Sequence, residues 1–171
     1  MKQIKKFLDT KDYPDQDLLE ISGDTKEWHK YFSNILLTAY PEVDAHDMPY
    51  DDESFDCVVL NQVLEHVRKP WVVIKEVHRV LRTGGIAIVS SPFFYQVHKH
   101  PEDLWRFTDD GLAALCEDFS EILLKDRAGN GNLIKHIIDN PDDRSSDRMI
   151  EFANLPNDEI YYLIASVVAR K

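Results

Sequence analysis

The sequence predicts an α/β sandwich on a mostly parallel sheet, and three observations lead there. Short apolar runs alternate with segments of helical periodicity along the chain. Two of those runs, "CVVLN" (57–61) and "IAIVSS" (86–91), have no polar face, the pattern of strands buried on both sides. Between them, Ile74, Val77, Val80 and Leu81 recur at helical spacing, and Gly84-Gly85 follows as a stop.

The elements follow in order. Leu18 to Ser22 is the first strand and Asn34 to Tyr40 the second, with a polar turn region at 46–56 before the third strand, 57–61. Pro70 suits the first position of the helix, and Arg79 and Arg82 are placed in its last turn, where cations oppose the dipole. After the strand at 86–91, Thr108 reads as an N-cap with Asp109 and Asp110 in the first helical turn, and Leu112, Leu115, Cys116 and Phe119 form an apolar face. Two strands, 121–125 and 160–169, complete the set; the stretch between them is helical around 133–138 and irregular around "NPDDRSSD".

Composition bounds the function. A chain of 171 residues with 43% hydrophobic content reads as one domain, 1–171, in which 1–16 form an N-terminal extension. Thirty-one acidic residues against 20 basic ones give a net charge of −11, and no basic stripe offers a nucleic-acid surface. No run reaches the ~18 apolar residues of a membrane span, and the start has neither an apolar core nor a cleavage site of a secretory signal. Cys57 and Cys116 lie in apolar segments and read as buried free thiols. The cytoplasm is the default address, and the sequence does not give an oligomeric state.

The string "DMPYDDESFDCVVLNQVLEHVRKPWVVIKEVHRVLRTGGIAIVSSP" resembles the central part of class I S-adenosylmethionine-dependent methyltransferases of the type 11 kind, and "LIASVVARK" is similar to their last, antiparallel strand. The resemblance implies a Rossmann-like methyltransferase sandwich with S-adenosylmethionine as cofactor and a small-molecule acceptor. Only six residues separate Tyr40 from Asp47, too few for a parallel crossover of a dozen or more, so the fold is expected to be reduced between its second and third strands. "PFFYQVHKHPEDLWRFTDDGL" looks like a subgroup associated with polysaccharide and cell-surface sugar biosynthesis, which implies an O-acceptor on a sugar or glycan precursor.

Ligands of open α/β sheets bind beyond the carboxyl ends of the strands. Carried over by position, Glu20 matches the acidic residue of the family's first motif. Ser22 and Asp24 stand where that motif has glycines, with Gly23 between them. Asp47 is matched to the acidic residue that contacts the adenine amino group, with Met48 beside it, and Asn61 and Gln62 border the methionine end. The carboxylate that ends the second strand and binds the ribose is absent; Thr38, Ala39 and Tyr40 stand there. By itself Gly23 reads as a strand-end turn, and with the downstream string as a weakened cofactor loop.

The acceptor side is expected after Pro92. His98 and His100 are the candidate bases, since imidazole titrates near neutrality. Tyr95, Trp105 and Arg106 are the candidate substrate wall, Arg106 suiting a phosphate or carboxylate. Glu65 and His66 are read as orienting a helix start. No metal is expected, because H-x-H-x-x-D at His98, His100 and Asp103 fits no closed site. The eroded first motif leaves a second reading open, a non-catalytic or weakly cofactor-binding partner or regulatory protein. A dehydrogenase would need G-x-G-x-x-G and an acidic residue after the second strand, and both are missing.

Overall fold

Six strands form one sheet in a computed structural model that describes residues 2–10, 13, 15–23, 28–99, 101–140, 151 and 154–171. They are β1 (Asp17–Ile21), β2 (Asn34–Thr38), β3 (Phe55–Asn61), β4 (Leu81–Pro92), β5 (Glu121–Ala128) and β6 (Ile164–Arg170), in the order β2-β1-β3-β4-β6-β5. The pairs β1–β2, β1–β3 and β3–β4 are parallel, and β6 runs antiparallel between β4 and β5. This is the mostly parallel sheet with an antiparallel last strand that the sequence predicts. The chain leaves β1 toward one edge and returns to its other side as β3, so the strand order reverses between β1 and β3.

Among the described residues, the helices α1 (Lys2–Leu8), α2 (Pro70–Val80), α3 (Asp109–Leu115) and α4 (Gly131–Asp139) accompany the sheet. On one face, Ile4, Leu8, Trp28 and Phe32 cluster with Leu18, Cys57, Val59 and Ile88. On the other, Val73, Val77 and Val80 of α2 and Leu112 of α3 join Leu19, Val58, Leu60 and Val89. The alternation of Leu18/Leu19 and Cys57/Val58 between the two clusters is the period-two pleat at work. The segment read as an extension supplies part of this core: Ile4 and Leu8 are both fully buried, each contributing about 1.5–3 kcal/mol by leaving water. Cys57 and Cys116 are buried and free.

Pro70 opens α2 as expected, the Thr108 hydroxyl caps α3 by accepting from Gly111 N at 2.9 Å, and Asn130 does the same for α4 through Leu133 N at 3.0 Å. The expected last turn of α2 is shorter. Val80 ends the helix and Leu81 already pairs with Phe55, so Arg82 lies in β4 and bridges Asp17 (3.0 Å) and Asp56 (2.6 Å). Gly84, at φ +83°, lets β4 shift register before pairing resumes at Ile86. The last strand begins at Ile164, later than its apolar run suggests. Residues 39–54 hold no helix or strand, which is the expected reduction. Most of the "NPDDRSSD" stretch lies outside the described residues. Among the described residues, no helix is long and apolar enough to cross a membrane.

Candidate functional site

A cavity of about 430 Å³ opens at the strand-order reversal, lined by Ile21 at the end of β1 and Ser22 after it, Gln62 and Val63 after β3, and Tyr40, Asp44, Ala45, His46 and His66. Its floor is made by two abrupt strand ends. Ser22 and Gln62 both adopt the left-handed conformation, φ +59°, uncommon for residues with a side chain. Each is held there by a neighbouring strand: Ser22 N donates to Thr38 O at 2.7 Å, and Gln62 N to Ser90 O at 3.1 Å.

The segment between β2 and β3 supplies another wall, although it has no regular structure of its own. Arg79 on α2 donates to the carbonyls of Met48 (3.0 Å) and Tyr50 (2.8 Å) while pairing with Asp52 and Glu76. Glu76 in turn accepts from Met48 N at 3.0 Å. So pinned, the segment turns Asp44, Ala45 and His46 to the cavity. Asp44 Oδ1 accepts from His46 N at 2.9 Å and from His46 Nδ1 at 2.7 Å, and these bonds hold its carboxyl below the usual range. His46 Nε2 accepts from Lys69 N at 3.4 Å, which fixes its proton on Nδ1.

The expected cofactor residues divide. Ser22 and Gln62 line the cavity. Glu20 does not: it is 2% exposed and accepts from Trp28 Nε1 at 2.9 Å, beneath the turn. Gly23 lies over that carboxylate so closely that a Cβ would stand 1.8 Å from Glu20 Oε1. Asp24 lies outside the described residues. Asp47 is exposed and absent from the cavity wall, Met48 is packed in the core, and Asn61 Oδ1 accepts from Ser90 Oγ at 2.6 Å. Two acidic residues line the cavity, Asp44, three positions before the expected one, and Glu102, which Arg68 pairs at 2.5 Å. The sequence carries a signal for Asp44, since it is followed by the small Ala45, which leaves room beside an acceptor.

Loop 93–107 is built around Asp103, whose side chain is 1% exposed. Arg106 grips both of its oxygens and also donates to the carbonyls of Trp105 (2.8 Å) and Tyr95 (3.3 Å). Those bonds occupy the guanidinium that was expected to receive an anion. Trp105 anchors the loop, donating from Nε1 to Val67 O at 2.9 Å and meeting Trp71 edge-on at 6.3 Å. Tyr95 is exposed and meets the His98 ring edge-on at 5.2 Å. His98 N donates to Asp103 Oδ2 at 2.8 Å, and its Nδ1 donates to Gln96 O at 3.2 Å. His100 lies outside the described residues.

Glu65 and His66, read from sequence as a helix start, form a 3₁₀ turn and face His98 instead. Glu65 is fully buried, and burial raises its carboxyl above the usual range. Its Oε2 accepts from Ser91 Oγ at 3.1 Å, and its Oε1 stands 3.8 Å from His66 Nε2 and 3.9 Å from His98 Nε2. The contact was hidden in the sequence because Glu65 and His98 lie 33 positions apart. A wider, shallower hollow of about 670 Å³ opens beyond β5 between 130–132 and 155–160, and none of the expected site residues lines it.

A sheet of order β2-β1-β3-β4-β6-β5 with a cavity at its reversal defines a Rossmann-like methyltransferase fold. Residues 18–89 match the methyltransferase domain family, and that match is consistent with a class I S-adenosylmethionine-dependent methyltransferase. It is 34% identical over 90 residues to a demethylmenaquinone methyltransferase of Staphylococcus haemolyticus, covering 49% of this chain and 35% of that protein. It is 26% identical over 133 residues to the ubiquinone/menaquinone biosynthesis C-methyltransferase UbiE of Klebsiella pneumoniae, covering 76% of this chain and 50% of that one. The matched segments thus span half or less of these relatives. Among solved structures, a putative sarcosine dimethylglycine methyltransferase from Galdieria sulphuraria superposes with TM-score 0.62 at 12% identity, over 99% of this chain and 86% of the other.

Proposed function

We propose that the protein binds S-adenosylmethionine in the cavity at the ends of β1 and β3 and transfers its methyl group to a small-molecule acceptor. The observation that carries this reading is the cavity itself, placed where the strand order reverses, in a chain that matches this family. Its residues fit an adenosyl group. The volume of about 430 Å³ falls within the roughly 300–1,000 Å³ of small-molecule sites. Asp44 offers an ionised acceptor for an exocyclic amine, Ala45 and Val63 offer apolar contact, and the left-handed Ser22 and Gln62 bring backbone to the cavity floor. The ribose is left to Ser22 and Tyr40, since Thr38 stands in place of the family's carboxylate.

The bound cofactor supplies a methyl group on a sulfonium, an electrophile that asks the protein chiefly for positioning. The protein's part on the acceptor side falls to His98. A carbonyl can only accept, so the Nδ1 bond to Gln96 O leaves the lone pair of the neutral ring on Nε2, available to take a proton from an oxygen acceptor. Tyr95 beside it offers an exposed ring for a sugar face. The favoured acceptor is a hydroxyl of a sugar or glycan precursor. A quinone ring carbon is the second reading, favoured by the names of the two relatives.

Calorimetry with S-adenosylmethionine and S-adenosylhomocysteine tests the cofactor, and methyl transfer to sugar-nucleotide and to demethylated quinone acceptors then separates the two readings. Absence of any heat or thermal shift at millimolar cofactor would favour the partner or regulatory role instead.

A further inference from the structure

Glu65, His66 and His98 converge in a way that the methyl-transfer reading does not use. One ligand atom from each lies within 4.8 Å of the others. The Glu65 Oε1 distances to the two imidazole Nε2 atoms, 3.8 and 3.9 Å, are too long for hydrogen bonds, and that oxygen, fully buried, accepts no hydrogen bond. A buried acceptor left in that condition costs about 1–3 kcal/mol, so something of complementary charge belongs beside it.

The far sides of both rings are already committed. His66 Nδ1 donates to Glu102 O at 2.6 Å, and His98 Nδ1 donates to Gln96 O at 3.2 Å with Asp103 Oδ2 3.4 Å away. Carbonyl and carboxylate partners on the outer nitrogen are what fix a metal-binding imidazole in orientation and tautomer. The rings meet edge-on with centroids 5.0 Å apart. Arg106 is the nearby cation, and the bidentate pair with Asp103 offsets its charge.

We propose that Glu65 Oε1, His66 Nε2 and His98 Nε2 form a binding site for a divalent first-row transition metal ion, of the two-histidine, one-carboxylate kind with open coordination positions. Ligand atoms around a tetrahedral ion with bonds near 2.1 Å stand about 3.4 Å apart. The two Glu65 spacings, 3.8 and 3.9 Å, therefore need a contraction of about half an ångström, and the two imidazoles must close to the same separation from within 4.8 Å, a movement for His98 on its loop. Since His66 also lines the cavity and His98 belongs to the acceptor loop, the ion would stand between the two. With the ion bound, His98 Nε2 no longer takes the proton; the ion would acidify a coordinated acceptor hydroxyl, which gives its proton to solvent water before the oxygen takes the methyl group, a consequence that rests on the proposed methyl transfer. The metal site itself does not.

The test uses the whole chain, stripped by chelator and titrated with zinc or cobalt(II) alone by calorimetry and visible absorption. One ion per chain is expected, with a cobalt ligand-field spectrum. Glu65→Gln and His98→Gln should each weaken binding tenfold or more, while His29→Ala, which removes an exposed histidine, should leave it unchanged. Circular dichroism establishes that each variant folds; if Glu65→Gln does not, His98→Gln decides. Failure of the wild-type chain to bind one equivalent, or unchanged affinity in His98→Gln, overturns the proposal.

Discussion

Arg106 holds Asp103 through both carboxylate oxygens, and Asp103 in turn holds the backbone of His98. The guanidinium keeps the Asp103 carboxyl well below the usual carboxylate range. A residue that reads in the sequence as an anion receptor is thus the internal strut that sets the geometry of the acceptor loop.

Asp103→Asn should destabilise the protein by about 1.5–3 kcal/mol, the value of hydrogen bonds to charged groups. Because the folded value is depressed, this stabilisation is fully present above the unfolded carboxylate value near ~3.9 and is lost as pH falls through the folded value. Urea midpoints should therefore differ between wild type and variant at pH 7 and draw together below about pH 4. A difference that persists unchanged into acid would mean that Asp103 ionisation is not its source.

Gly23→Ala places a methyl group against the Glu20 carboxylate and must push it off the Trp28 indole. A loss of about 1–3 kcal/mol is expected from overpacking, with a change in tryptophan fluorescence. Equal stability in the variant would show that the turn has room that the geometry denies it.

His98→Ala should lower kcat on the true acceptor by about 10²–10⁴-fold and leave S-adenosylhomocysteine affinity nearly intact. If affinity falls instead, the loop supports the cofactor rather than the acceptor.

The strands and helices were legible because two-residue and 3.6-residue periods are local signals, and Thr108 at the start of α3 is a local cap. The site was less so. Asp44 and Asp47 occupy one short turn, and which of them faces the cavity is fixed by the clamp of Arg79 and Glu76 on Met48, some thirty positions away. Glu20 matched a motif position yet turns to Trp28, and its carboxylate fills the space that a side chain at Gly23 would need. The convergence of Glu65 with His98 is likewise a product of the sheet, which sets the end of β4 beside the turn after β3.

The central claim, that the cavity beside Asp44 is the cofactor site, is tested most directly by titrating S-adenosylhomocysteine calorimetrically into wild type, Asp44→Ala and Asp47→Ala. Saturable one-to-one binding is expected in wild type and in Asp47→Ala, and a loss of about 1.5–3 kcal/mol in Asp44→Ala from the missing charge-assisted bond. Absence of saturable binding in wild type, or a loss confined to Asp47→Ala, would contradict the account.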